Sequence, residues 1–392
     1  MPAYDPSWQV IVGDDLYTTV TSISYSTGRT DIDRQSSAGY CKIEIVNTTG
    51  ADFTINLADP ITLLVAGIFT SEIMVWSGTV SDFNIGVRSP EDAGFVTTGT
   101  ILGIGNLVKL NKTVYNTALA EGLDGAQIAA ILDDALLGSW EETNPAYAWV
   151  LYPSTNLPDG TIVNTTWSMA ENYVGTVDAG FYTMISQAAS ATAKSQTLAD
   201  QIATSALGQV YEDRAGNINY DDADHRGVYL AANGYKIIDG TFATPSSLRS
   251  TSGTNRIRNS LIYRYGTGYA STYSVSDTTA IATYGLFEKS TESNVKNLAD
   301  ITAIGTRELG LRKDPRDQLE AVTFRLTNPA MSSQTRARLL LLAFGIPVTI
   351  TNLPSNFFGG SFSGFTEGIS LSSTPNTMDM TLFISATDLS IV

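Results

Sequence analysis

Apolar and polar positions alternate with a period of two through most of the first 110 residues. Within residues 39–50, Ile43 and Ile45 share one face and Lys42 and Glu44 the other, the pattern of a half-buried antiparallel strand. Residues 8–12, 17–24, 61–65, 74–80 and 97–110 repeat it, with Gly67 and Gly78 as punctuation. Several short strands with regular turn signals predict a barrel or sandwich. The period changes near residue 117. Leu119, Leu123, Ile128, Ile131, Leu132 and Leu136 fall at helical spacing. Asp124 and Gln127 form a capping-box-like start, and Gly138 a stop, for a helix through Leu137.

An aromatic stretch with Trp140, Tyr147, Trp149, Tyr152 and Trp167 comes next, and residues 181–206 predict one or two further helices. Residues 209–220 then predict a β-hairpin, with Asp213 and Gly216 at the first and last positions of a type I turn. Residues 221–255 are irregular and polar. Strand-like alternation returns at 259–265, 320–327, 347–351 and 369–384, with a helix expected near 292–309. The expected fold is mainly β with α/β insertions. Two β-barrels of related shape flank a middle insertion domain. The boundaries are 1–113 for the first barrel, 114–207 for the α/β insertion, 208–255 for the hairpin and a small connecting subdomain, and 256–392 for the second barrel with its inserted helix.

Composition fits several globular units. The chain has 392 residues, 43% hydrophobic and 16% charged, with 33 Gly, unlike a disordered chain. The net charge of −16 is uneven. Residues 1–210 hold 22 acidic and 7 basic side chains, whereas residues 251–392 hold 11 and 12. An acidic N-terminal half is a poor grip for nucleic acid. Apolar runs are far below transmembrane length and no leader pattern opens the chain, so synthesis in the cytoplasm without stable membrane insertion is expected.

The chemistry-bearing residues are sparse. Cys41 is the only cysteine and His225 the only histidine, which excludes an intrachain disulfide and a usual zinc-peptidase site. His225 lies in a polar stretch without a nucleophile elbow, so a Ser-His-Asp hydrolase is not expected. Asp133-Asp134 and Glu141-Glu142 are adjacent pairs that do not share a helix face, which favours surface charge over glycosidase carboxylates. Asp221, Asp222 and Asp224 lack the glycine and terminal glutamate of an EF-hand. Gly103-Ile104-Gly105 lacks the rest of a dinucleotide fingerprint. The aromatic stretch reads as core packing. No catalytic, cofactor or metal residue is expected. Arg256, Arg258 and Arg264, read as alternating along a strand, are interface candidates.

Four blocks in order carry a resemblance. They are Gly28-Arg29-Thr30-Asp31-Ile32-Asp33 with the strand after it, residues 125–133, residues 208–217, and residues 344–354 followed by Phe365-Thr366-Glu367-Gly368-Ile369-Ser370. Together they resemble the minor tail proteins of actinobacterial long-tailed phages, which are similar to the trimeric baseplate hub of contractile-tailed phages. The family usually has an acidic residue where this chain has Ile346, and often His where this chain has Leu371.

The resemblance implies a non-enzymatic homotrimer at the virion tail tip. Its two tube-like barrels per chain would make a pseudo-sixfold ring that adapts the sixfold tube to a threefold tip. The implied neighbours are the distal tail or tail-tube protein and other tail-tip or baseplate proteins, with DNA passing transiently through the ring. A carboxylate-lined lumen repels phosphate over about 8 Å at physiological salt, so Asp31 and Asp33 are channel-lining candidates. The alternatives are a tail-associated enzyme cutting the cell wall, or a receptor- or carbohydrate-binding module in residues 111–210.

Overall fold

The computed structural model describes residues 6–47, 52–66, 72–88, 96–137, 174–251, 253–254, 256–319 and 321–389, with short backbone pairings at 150–151, 155–156, 162–163 and 166–167. Gly67, Gly138, Glu141-Glu142 and most of the aromatic stretch lie outside them. One sheet of twelve strands dominates. Its N-terminal strands are Ser7–Val12, Asp15–Tyr17, Val20–Gly28, Ser37–Asn47, Pro60–Ala66, Ile73–Arg88 and Val96–Ile104. Its C-terminal strands are Lys236–Asp239, Ala321–Arg325, Pro347–Thr351, Phe362–Thr374 and Thr377–Ala386. The two sets join where Phe362–Thr374 pairs antiparallel with Val20–Gly28, from Gly368 opposite Gly28 to Ser373 opposite Ile23.

Local chemistry explains these strands. Along Ser37–Asn47 the side chains of Cys41, Ile43 and Ile45 are buried, while Lys42 and Glu44 pair at 2.8 Å on the wetter face. Pro375 and Asn376 turn the last hairpin between Thr374 and Thr377, where proline presets the first turn dihedral. Trp8, Ile23, Ile43, Leu63, Trp76, Phe324, Ile369 and Leu382 share one apolar core built from both strand sets.

A second core lies beside it. Helices Asp124–Leu132 and Ser195–Ser205 supply Ile128, Ile131 and Ile202. The hairpin of Gln209–Glu212 and Ile218–Asp221 supplies Val210, Ile218 and Tyr220. A separate three-stranded sheet, Ser260–Tyr265 between Ser271–Ser276 and Glu288–Glu292, supplies Leu261 and Tyr263 to the same core. Helix Leu298–Arg312 packs on that sheet and adds Ile301 and Ile304. Residues 260–304 therefore share a core with the middle region and not with the strands that follow them.

Several expectations change. The strand expected over 97–110 stops at Ile104, and Leu110 is buried from the short helix Val108–Lys112. Asp124 does not cap its helix through its side chain; the N-cap is Leu123, and the last turn becomes a π-turn over Asp133–Leu137. Residues 181–194 are not helical, and Thr183–Met184 pairs with Gly122–Leu123. The region read as irregular holds the helix His225–Asn233 and the strand Lys236–Asp239. Helix Leu298–Arg312 starts later than 292 because Asn297 caps it, accepting the Asp300 N–H at 2.9 Å. Two helices, Thr278–Tyr284 and Ser333–Leu340, escape the sequence pattern because they are short and their apolar stripes incomplete. No helix among the described residues is long and apolar enough to cross a membrane.

Candidate functional site: a buried charge clamp where the cores meet

The junction of the two cores is held by buried charge. Arg29 leaves the end of Val20–Gly28, and Glu367 sits in the middle of Phe362–Thr374. Arg29 Nε donates to Glu367 Oε2 at 2.7 Å. Arg226, from helix His225–Asn233, donates to Oε1 at 2.6 Å and to Oε2 at 2.9 Å. The Ser385 hydroxyl also donates to Oε1. The Glu367 side chain is 2% exposed, so these donors replace the water it gives up. Phe344 lies beneath both guanidinium groups, 5.6 Å from Arg29 and 5.4 Å from Arg226.

Arg29 also reaches the second core, donating to Gln209 Oε1 at 2.6 Å and to the Arg34 carbonyl at 2.8 Å. A cavity of about 150 Å³ opens beside it, lined by Asp33, Gln35, Arg226, Glu308 and Arg312 among others. Burial by itself raises the Glu367 carboxyl, but the charges and hydrogen bonds of Arg226 and Arg29 overcome this and hold it well below the usual carboxylate range.

A second buried carboxylate ties the hairpin to the large sheet. Glu212 accepts the N–H of Gly39 and, at 2.9 Å, that of Leu107. No ion pair is formed with it among the described residues, and burial pushes its carboxyl up to about 7 against the pull of the Leu107 and Gly39 N–H groups. Gly105 has no room for a side chain because the Glu212 carboxylate occupies that space. Gly103 is equally crowded, by the Cys41 sulfur. The glycine pair thus serves close packing. Asp124 is the third such group, accepting the N–H of Phe181 and of Tyr182, each at 2.7 Å, and the Tyr220 hydroxyl.

The residues singled out from the sequence are distributed as follows. In the hairpin, the Gly216 N–H donates to the Asp213 carbonyl at 3.0 Å, and Asp213 Oδ1 accepts from Ala215 and Asn217. Gly216 has φ +82°, a type I turn closed by a left-handed residue. Asp31 pairs loosely with Arg34 at 3.8 Å. Asp33, with its side chain 46% exposed, faces Arg312 at 3.4 Å. Arg256 and Arg258 precede the strand on which Arg264 lies, so the three do not alternate along one strand. Arg256 donates to Gln318, Arg258 to the Ile257 carbonyl, and Arg264 to Glu292 at 2.6 Å on the surface. Asp133 and Asp134 are exposed.

His225 is not in a loop; it opens its helix, and its Nδ1 lies 2.8 Å from Asp178 Oδ2 and 3.6 Å from Asp221 Oδ1. Asp221 is 3% exposed. Burial pushes its carboxyl up to about 6, with the His225 charge opposing. The clamp itself carried one sequence signal: Glu367 is a lone charge between Phe365 and Ile369 in an otherwise apolar or small run.

The fold has known counterparts. No family model and no curated protein matches the sequence. Among solved structures, a tail protein from Neisseria meningitidis is similar at TM-score 0.62 and 10% identity, over 99% of this chain and 98% of that one. The 43 kDa tail protein of prophage MuSo2 from Shewanella oneidensis gives 0.59 and 11%, over 98% and 99%. The prophage tail protein gp18 from Listeria monocytogenes gives 0.51 and 10%, over 97% and 95%. The chain therefore shares the fold of these tail proteins over 97–99% of its length.

Proposed function

We propose that this protein is a structural component of a phage tail, a hub that forms a homotrimeric ring at the tail tip. The observation that carries the reading is the end-to-end likeness to three tail proteins, two of them from prophages, with at least 95% of each chain covered on both sides. In this reading the seven N-terminal and five C-terminal strands of the large sheet are two tube-like units side by side. A twisted sheet of twelve strands tends to curl or split, and three chains would then present six units to the tube above. Ring closure would also cover the outer edges at Asp15–Tyr17 and Lys236–Asp239.

The ring provides a channel for DNA, with the acid-rich first unit lining it. Asp31 keeps the freer charge for this role, because Asp33 faces Arg312. The neighbours are the distal tail or tube protein and other tip proteins. Native mass measurement of the purified 41.9 kDa chain, together with density for the tail tip, tests the proposal. Three copies around the axis are expected, with a negative lumen. A monomer at all concentrations, combined with one or six copies at the tip, would overturn it.

A further inference from the structure

We propose that Asp178, Asp221 and His225 form a binding site for a divalent transition-metal ion, with zinc as the probe. The three residues come from three segments. Asp178 follows the strand Val174–Val177, which runs parallel to Ile218–Asp221 with Val177 opposite Tyr220. Asp221 ends that second strand, and His225 begins the helix after it. One ligand atom from each lies within 4.8 Å of the others. Ligands bound at about 2.0–2.2 Å around one zinc ion sit roughly 3–3.5 Å apart. The 2.8 and 3.6 Å separations around His225 Nδ1 need only small adjustment.

Charge balance points the same way independently. Asp221 is buried, with 5% of its side chain exposed, and its only ion-pair partner among the described residues is His225. Buried carboxylates need hydrogen-bond donors, cations or a metal in place of water. Arg226 hydrogen-bonds Glu367, which it shares with Arg29, and reaches Asp221 only as a longer-range charge, while Arg307 pairs with Asp224 at 2.6 Å. A divalent ion among the three residues would give both Asp178 and Asp221 a direct cationic partner.

The surroundings hold the two carboxylates in place. The Tyr211 hydroxyl donates to Asp221 Oδ1 at 3.1 Å, and the Asp222 N–H to Asp178 Oδ2 at 3.0 Å. Such partners fix ligand orientation. A surface hollow of about 410 Å³ is lined by Asp178 and His225 and leaves room for water beside these two ligands, while Asp221 lines the cavity next to Arg29. One imidazole nitrogen with two carboxylate oxygens suits zinc or manganese better than calcium, which takes six to eight oxygens. Ligation uses the Nδ1 lone pair, so the ring keeps one proton on Nε2 and any second proton passes to solvent, with no change of oxidation state. The ion would pin the helix His225–Asn233, and with it Arg226, to the parallel strand pair.

The test uses the full-length chain without a histidine tag, stripped with EDTA and titrated with zinc chloride at pH 7.5. The expected result is one zinc per chain, with a zinc-dependent rise in melting temperature. His225→Gln and Asp178→Asn should each weaken binding by about tenfold or more and abolish the rise. Absence of saturable binding, or equal binding by His225→Gln, would overturn the proposal. Should a variant misfold, X-ray absorption on the zinc-loaded wild type decides. A shell containing one nitrogen is expected, and an all-oxygen shell overturns the site.

Discussion

Gly28 and Gly368 stand opposite each other where the N-terminal and C-terminal strand sets join. Gly28 has φ +81°, and a side-chain carbon added to it would lie 2.7 Å from the Gly368 Cα and against the Glu367 carbonyl. The close approach lets the Arg29 N–H donate to the Glu367 carbonyl at 2.7 Å while the two side chains pair. Backbone and charge therefore lock the same crossing. Gly28→Ala should cost about 1–3 kcal/mol, from a left-handed dihedral and backbone overlap together. Denaturant unfolding checks it, and an unchanged midpoint would show that the strands can separate freely.

The charge clamp gives a sharper test. Glu367→Gln leaves two buried arginines short of their counterion and should destabilise by about 3–5 kcal/mol. The pH dependence has a definite sign. The folded carboxyl is held below its ordinary value near 4.5, so its contribution is complete above that pH and is lost as pH falls further. Stability of the wild type should therefore drop on acidification below about 4.5 more steeply than that of Glu367→Gln. Parallel acid dependences would show that the pair contributes no linkage.

Glu212 should behave in the opposite sense. Its folded carboxyl titrates at about 7 against an ordinary value of 4.5. The raised value means that its favourable contribution is complete below about 4.5 and disappears as pH rises toward 7. The stability advantage of wild type over Glu212→Gln should shrink across that window, as measured by urea unfolding at several pH values. An advantage that grows with pH would contradict the assignment.

The hairpin turn supplies a local control. Gly216 sits at φ +82° with Asn106 Nδ2 donating to its carbonyl at 3.0 Å. Gly216→Val places a branched side chain in the left-handed region and against Asn106, and should cost about 1 kcal/mol or more. A melting temperature equal to that of wild type would count against this turn geometry.

Much of the strand inventory was legible because alternation is a local property. Cys41, Ile43 and Ile45 point to one face whatever strand lies beside them, and the spacing of Asp213 and Gly216 names a turn without reference to the rest of the chain. Short helices such as Ser333–Leu340 were not legible, since a few turns carry too little periodicity to separate from loop.

What the sequence by itself determined is therefore which segments form strands or longer helices and which of their faces turn inward. The tertiary structure alone decided which segments meet. Arg29 and Glu367 are 338 positions apart, and although Glu367 is a lone charge in its run, nothing local names Arg29 and Arg226 as its partners. Asp124 looked like a helix cap but holds Phe181, Tyr182 and Tyr220. Asp178 carried no sequence signal, yet it stands beside Asp221 and His225. In each case burial removes water from a charge, and the groups that replace the water come from distant segments that the folded chain alone brings within hydrogen-bond reach.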